Sequence, residues 1–126
     1  MEFPQDLRYT KDHEWVRMSP DGAVVGITSF AQDELGELVY VDLPAVGTAL
    51  IQKGVLCVVE STKAASDVYA PISGTVEEVN ARLAQEPSLV NSDPYGDGWL
   101  VKLSHVDDQQ IAALLSPEQY RELISR

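Results

Sequence analysis

The sequence predicts a mainly β fold: a flattened β-barrel or sandwich with short peripheral helices and a C-terminal helix. Three observations support this. Gly and Pro recur at short intervals, at Pro20, Gly22, Gly26, Gly36, Pro44, Gly47, Gly54, Pro71, Gly74, Pro87, Pro94, Gly96 and Gly98. Short β-rich runs lie between them. Helix start signals are confined to three brief stretches. At 126 residues the chain suits one compact domain, 1–126, which can bury a core without a staple.

The runs 14–18, 23–28, 38–43, 55–60, 67–70, 75–80 and 99–104 read as strands. Ser19-Pro20-Asp21-Gly22 joins the first two, because Pro presets φ and Gly accepts positive φ. Ser29 reads as the N-cap of a helix over 30–35, with Gln32 completing a capping box and Gly36 as the stop. Asp107 caps a helix over 108–115, with Gln110 in the box position. Ser116, Pro117 and Gln119 predict a terminal helix over 117–125. Gly74 reads as a turn residue that needs positive φ or a close backbone approach.

A weak internal repeat is visible. Gly36-Glu37-Leu38-Val39-Tyr40-Val41 matches Gly74-Thr75-Val76-Glu77-Glu78-Val79, and Gly54-Val55-Leu56-Cys57-Val58-Val59 matches Gly98-Trp99-Leu100-Val101-Lys102-Leu103, at offsets of 38 and 44 residues. Two related halves would produce this, as would chance likeness between strands. No linker or low-complexity tract interrupts the chain.

Nine basic and twenty acidic residues give a net charge of −11. Phosphate repels such a surface, which argues against nucleic acid and anionic membranes as partners. The charge serves solubility, or steers the molecule towards basic faces on partners. Cys57 is the single cysteine and cannot form an internal disulfide. Its apolar neighbours predict a buried, inert thiol. Met1-Glu2-Phe3-Pro4-Gln5-Asp6 lacks the features of a targeting peptide. No apolar run approaches the ~20 residues that span a bilayer. A cytoplasmic location fits these observations, and so does a processed organellar form.

Candidate chemistry concentrates in Val58-Val59-Glu60-Ser61-Thr62-Lys63-Ala64-Ala65-Ser66-Asp67-Val68-Tyr69, which reads as strand, polar turn, strand. Lys63 sits at the tip among small or hydroxylated neighbours, where a modifying enzyme can reach its amine. Taken alone, it also reads as an ordinary surface lysine. Ala70-Pro71-Ile72-Ser73-Gly74-Thr75-Val76 follows it and alters the balance.

The stretch from 60 to 80 resembles the biotinyl/lipoyl carrier fold, with a lysine hairpin followed by a Pro-x-x-Gly turn and a Val-rich strand. Biotinyl carriers typically flank the lysine with methionine. Thr62 and Ala64 stand there instead, which points to lipoate. Tyr9-Thr10-Lys11-Asp12-His13-Glu14-Trp15-Val16, Gly26-Ile27-Thr28, Ala31-Gln32 and Val90-Asn91-Ser92-Asp93-Pro94-Tyr95-Gly96-Asp97-Gly98-Trp99-Leu100 resemble the glycine cleavage H-protein family. The likeness covers roughly residues 7–124.

That resemblance implies a hybrid barrel-sandwich of the lipoyl-domain type and covalent lipoate on Lys63. It implies a shuttle with no turnover of its own. The lipoyl arm takes an aminomethyl group from a PLP-dependent glycine decarboxylase to a tetrahydrofolate-dependent aminomethyltransferase. Dihydrolipoamide dehydrogenase then reoxidises the dithiol. A lipoate ligase or octanoyltransferase would install the arm, and the free protein would be a monomer. In family members whose loaded arm folds back, the cleft corresponds here to Glu14, Asp67 and, on the first helix, Glu34. Some relatives carry histidine at the helix position, so Glu34 departs from the pattern. A relay that donates lipoyl groups to other apoproteins would use the same Lys63.

Other residues carry weaker signals. His13 and His105 lack companions at metal-ligand spacing, so no metal site is expected. Trp15 and Trp99 read as core. Glu60 either favours the charged form of Lys63 or is a solvated acid. Ser61 lacks a nucleophile elbow, and no acid/base constellation supports an enzyme.

Overall fold

The computed structural model describes residues 3–125. Its strands are β1 (Arg8–Tyr9), β2 (Glu14–Ser19), β3 (Gly22–Ile27), β4 (Leu38–Asp42), β5 (Ala49–Leu50), β6 (Val55–Ser61), β7 (Ala65–Tyr69), β8 (Gly74–Val79) and β9 (Val101–Ser104). They form a six-stranded sheet, β1-β2-β3-β9-β8-β5, and a three-stranded sheet, β4-β6-β7. All pairings are antiparallel, and neither sheet closes on itself. The helices are α1 (Ser29–Leu35), α2 (Leu89–Ser92), α3 (Asp108–Ala112) and α4 (Pro117–Ile124), with a 3-10 turn over Ala81–Ala84.

All seven expected strands are present, with ends displaced by one or two residues. The two-residue strands β1 and β5 are additional, since two residues carry no readable alternation. One apolar cluster joins the inner faces of both sheets. Val16, Val25, Val76 and Leu103 come from the larger sheet, and Leu38, Val41, Leu56, Val59 and Val68 from the smaller. A second cluster of Phe3, Leu7, Tyr9, Trp15 and Tyr120 packs beside it.

The internal repeat appears as pairing. β4 pairs with β6, and its counterpart β8 pairs with β9. Each ladder slips register once, between Leu38 and Tyr40 in one and between Val76 and Glu78 in the other. Those positions are 38 residues apart, the offset of the sequence match. An equivalent bulge at equivalent positions argues against chance likeness.

Helix starts follow the capping chemistry with two corrections. The N-cap of α1 is Thr28, not Ser29: Thr28 Oγ1 accepts from the Ala31 amide at 3.1 Å. The Thr28 hydroxyl is fully buried and also contacts Tyr120, and this tertiary bond sets the cap one residue early. Gln32 consequently donates to the Ser29 carbonyl and forms no capping box. Gly36, at φ 83, ends the helix. Asp107 caps α3, but that helix stops at Ala112 because Leu115 is drawn into a β-bridge with Tyr9. Gln110 accepts from the Ser73 amide instead of completing a box. The full capping box at Ser116 and Gln119 forms as expected.

Gly74 has no positive φ. It serves a close approach: a Cβ there would lie 3.0 Å from the Ser104 carbonyl oxygen and 3.2 Å from Val106 Cγ1. Gly74→Val should therefore destabilise the fold by about 1–3 kcal/mol through overpacking, read as a lower urea midpoint with an unchanged slope. An unchanged midpoint would refute the close-approach account.

Candidate functional site

The β6–β7 hairpin is closed by Glu60 opposite Ala65 and by the Ser61 amide donating to the Ala64 carbonyl at 2.8 Å. Ser61 also pins the turn through its hydroxyl, which accepts from the amides of Lys63 and Ala64, both at 3.2 Å. Its role is thus local geometry, the standard work of a short hydroxyl side chain at a turn. Lys63 is left exposed at the tip. Its Nζ donates to the Glu34 carbonyl at 3.3 Å, a long bond to one of the free carbonyls at the C-terminal end of α1. Cε passes over Gly36, where a Cβ would stand 3.1 Å away. Glu60 forms no ion pair with Lys63 among the described residues, so the solvated reading holds for it.

The remaining lysines have other settings. Lys11 and Lys53 line a cavity elsewhere, and Lys102 pairs with Glu78 at 3.6 Å across the Trp99 ring.

Helix α1 is fixed at both ends. At its start, Tyr95 Oη accepts from the Ser29 amide at 2.9 Å. At its finish, Asn91 donates to the Gln32 side chain at 3.0 Å and to the Gly36 carbonyl at 2.9 Å, and accepts from the Leu38 amide at 2.9 Å. The carbonyl that receives Lys63 is thereby held in place by a residue from α2.

Glu34, whose carbonyl receives the Lys63 amine, also lines a cleft of about 150 Å³. Glu14, Glu34 and Asp67 all line it, together with His13, Leu35 and Val68. The three acids come from β2, α1 and β7, so only the fold brings them together. Among the described residues, no cluster of three or more His, Cys, Asp or Glu is arranged to hold a metal.

Glu14 is the buried acid, 3% exposed. Its Oε1 accepts from the Thr10 hydroxyl at 2.7 Å. Burial pushes its pKa up from 4.5 to about 7; the neighbouring Asp12 adds to this, while hydrogen bonds from Thr10 and the Tyr69 amide oppose it. Glu14 also lines a second cavity of about 280 Å³, bordered by Lys11, Lys53, Tyr69 and Leu114. Cys57 is buried behind this region. Its thiol is pushed up to about 12, mainly by burial, with Asp42, Glu14 and Asp67 contributing. A buried thiol with a raised pKa is what its apolar context predicts.

Sequence reasoning weighed His13 only as a metal ligand and missed its place in the cleft. The residue lines the cleft and adopts φ 75, and its Nδ1 is 2.7 Å from the Tyr120 hydroxyl. Burial lowers its pKa, although Asp12 and Glu34 pull the other way. Trp15 is fully buried, as expected of core, and donates to the Pro94 carbonyl at 3.0 Å. Trp99 is half-buried and precedes β9.

A glycine cleavage H-protein family model matches residues 7–126. The chain belongs to the glycine cleavage H-protein family. A protein of Haloarcula marismortui named probable glycine cleavage system H protein is 55% identical over 123 residues, covering 98% of this chain and 97% of that one. The glycine cleavage system H protein of Alteromonas mediterranea is 55% identical over 123 residues, covering 97% and 95%. The crystal structure of a glycine cleavage system H protein from Mycobacterium marinum superposes with a TM-score of 0.88 at 39% identity, covering 98% of this chain and all of that one. Family membership accounts for the two open antiparallel sheets with short flanking helices.

The raised pKa of Glu14 has a consequence for stability. The folded chain holds this proton up to about pH 7, whereas the unfolded chain releases it near 4.5. Between these values the folded state binds more protons, so this group weakens the fold as pH rises. Relative to wild type, Glu14→Gln should gain about 2–3 kcal/mol between pH 5 and pH 8. Chemical denaturation at the two pH values measures this. Parallel stability profiles would show that Glu14 titrates normally.

Proposed function

We propose that the chain is a lipoyl carrier of the glycine cleavage system, with lipoate in amide linkage to Lys63 Nζ. The observation that carries this reading is the exposed hairpin lysine whose amine meets the carbonyl of Glu34, one of three acids that line one cleft. The residues present fit the group. The amine has one long hydrogen bond to give up, and the missing Cβ at Gly36 leaves room beside the lysine stem. When attached, lipoate supplies the sulfur chemistry that carries the aminomethyl cargo.

The chain's own residues perform the remaining tasks. The hairpin presents Lys63 to the enzyme that modifies it, a lipoate ligase or octanoyltransferase. The tether gives a high effective concentration at each docked active site. Glu14, Asp67 and Glu34 hold the cationic amine of the cargo through charge-assisted hydrogen bonds. The apolar walls at Leu35 and Val68 limit water around it. Glu14 suits this role because a cation beside it offsets the burial of its charge. The partners in this reading are glycine decarboxylase, aminomethyltransferase and dihydrolipoamide dehydrogenase, and the chain performs no turnover alone. The acidic surface would steer it to basic faces on those partners in the cytoplasm.

Two measurements test this reading. Lys63→Arg keeps the charge and should abolish lipoylation, so intact mass after co-expression with a ligase should stay that of the unmodified chain. A persistent lipoyl increment would refute Lys63 as the sole site. Protein loaded through glycine decarboxylase and then separated from it should release ammonia faster when Glu14→Ala and Asp67→Ala are combined. Equal release from a folded double variant would remove these acids from the guarding role.

A further inference from the structure

The carboxylates account for one side of the cleft and leave His13 unexplained. It adopts φ 75, a left-handed conformation that costs a non-glycine residue free energy and persists where its surroundings enforce it. The enforcement is visible as a chain of three polar groups. His13 Nδ1 is 2.7 Å from the Tyr120 hydroxyl, and that hydroxyl is 2.8 Å from Thr28 Oγ1. Thr28 Oγ1 in turn accepts from the Ala31 amide at 3.1 Å.

Proton counting fixes the direction of this chain. Thr28 is fully buried, and its hydroxyl has one proton to place. The Ala31 amide only donates, so the Thr28 proton goes to the Tyr120 oxygen. The Tyr120 proton then goes to His13 Nδ1. The opposite direction would leave the buried Thr28 proton without an acceptor, which native interiors avoid. Burial keeps the Tyr120 hydroxyl protonated and outweighs Asp12 and Glu34 in keeping the imidazole neutral. A neutral ring that accepts at Nδ1 carries its proton on Nε2.

We propose that the Thr28–Tyr120 hydroxyl pair locks His13 as the Nε2–H tautomer, making it a positioning residue that gives the cleft a hydrogen-bond donor in place of a basic lone pair. The tautomer stands on the geometry alone. Its consequence for the cargo rests on the lipoyl-carrier reading. A cargo held as S–CH2–NH3+ is stable while nitrogen keeps its proton. An Nε2 lone pair would take that proton. The freed nitrogen pair would then form C=N as the C–S bond breaks, with the C–S electrons leaving on sulfur as thiolate. Water would convert the iminium to formaldehyde and ammonium. With the proton already on Nε2, the ring cannot start this sequence and offers an N–H donor instead.

The test uses nitrogen-15 NMR of the unloaded full chain at pH 8, then cargo loss from the loaded chain. Wild type should show an unprotonated Nδ1 and a protonated Nε2 on His13. Tyr120→Phe should raise the Nδ1–H population and speed formaldehyde release about tenfold. That release should increase with pH through a value below the ordinary imidazole range. Adding His13→Asn, a residue that tolerates left-handed φ, should return release to the wild-type rate, which a purely structural defect would not do. An Nδ1–H ring in wild type, or an unchanged ring in Tyr120→Phe, overturns the lock. Equal release from all three proteins after a demonstrated tautomer shift overturns the protective role. Absence of lipoyl mass on Lys63 removes the carrier reading and leaves the NMR result standing.

Discussion

The Tyr120 hydroxyl joins three separate parts of the chain at one buried point. It touches the N-cap of α1 through Thr28 and the turn before β2 through His13, and it belongs to the C-terminal helix. Its ring stacks on Tyr9 with centroids 4.9 Å apart and lies edge-on to Phe3 at 5.0 Å. Two cleft walls, the 10–14 turn and α1, therefore share one anchor. Removing the hydroxyl would leave buried polar atoms without partners at both walls, costing about 1–3 kcal/mol for each unsatisfied group. The second apolar cluster is small, but it sets the distance between the elements that carry Glu14 and Glu34.

The third wall depends on a different device. β7 enters the cleft at Asp67 and Val68 because the hairpin register with β6 sets the alternation of its faces. Val68 points to the core and Asp67 does not, so a one-residue slip would exchange them. The register is held at the tip by Ser61 and further along by the irregular pairing between Val55 and Cys57. Asn91 then fixes the end of α1 that receives the lysine amine. The lysine tip and the cleft are thus positioned by bonds that do not involve the Lys63 amine, and modifying that amine would disturb none of them.

Much of this was legible in the sequence, for physical reasons that particular residues make plain. Alternation and turn chemistry revealed the longer strands, and the box at Ser116 and Gln119 revealed α4. The cap at Thr28 was not legible, because local preference cannot distinguish Thr28 from Ser29. The choice is made by a hydroxyl 92 residues away. Helix α3 ends early for the same kind of reason, through the Tyr9–Leu115 bridge. Lys63 stood out through its motif, and Glu14, Glu34 and Asp67 through family resemblance. Their convergence on one cleft required the fold. His13 was weighed only as a metal ligand, since its partner is 107 residues distant and its φ is set by tertiary contacts.

Glu14 illustrates how the cleft reconciles stability with binding. A fully ionised carboxylate at 3% exposure would be costly without a counter-charge. The Thr10 hydroxyl and the Tyr69 amide supply hydrogen bonds but no positive charge, and Asp12 adds a negative one. Burial therefore favours the protonated form of Glu14 up to about pH 7. In the proposed carrier, an ammonium group held beside Glu14 would reverse the balance, because its charge favours the ionised acid and expels that proton. Cation binding and proton release would thus be linked at the Glu14 carboxyl. The neutral Nε2–H form of His13 proposed above would leave this exchange undisturbed, since it adds no charge and offers no competing base. The two residues are neighbours in sequence but are governed by different partners: Glu14 by the Thr10 hydroxyl and β7, and His13 by the C-terminal helix.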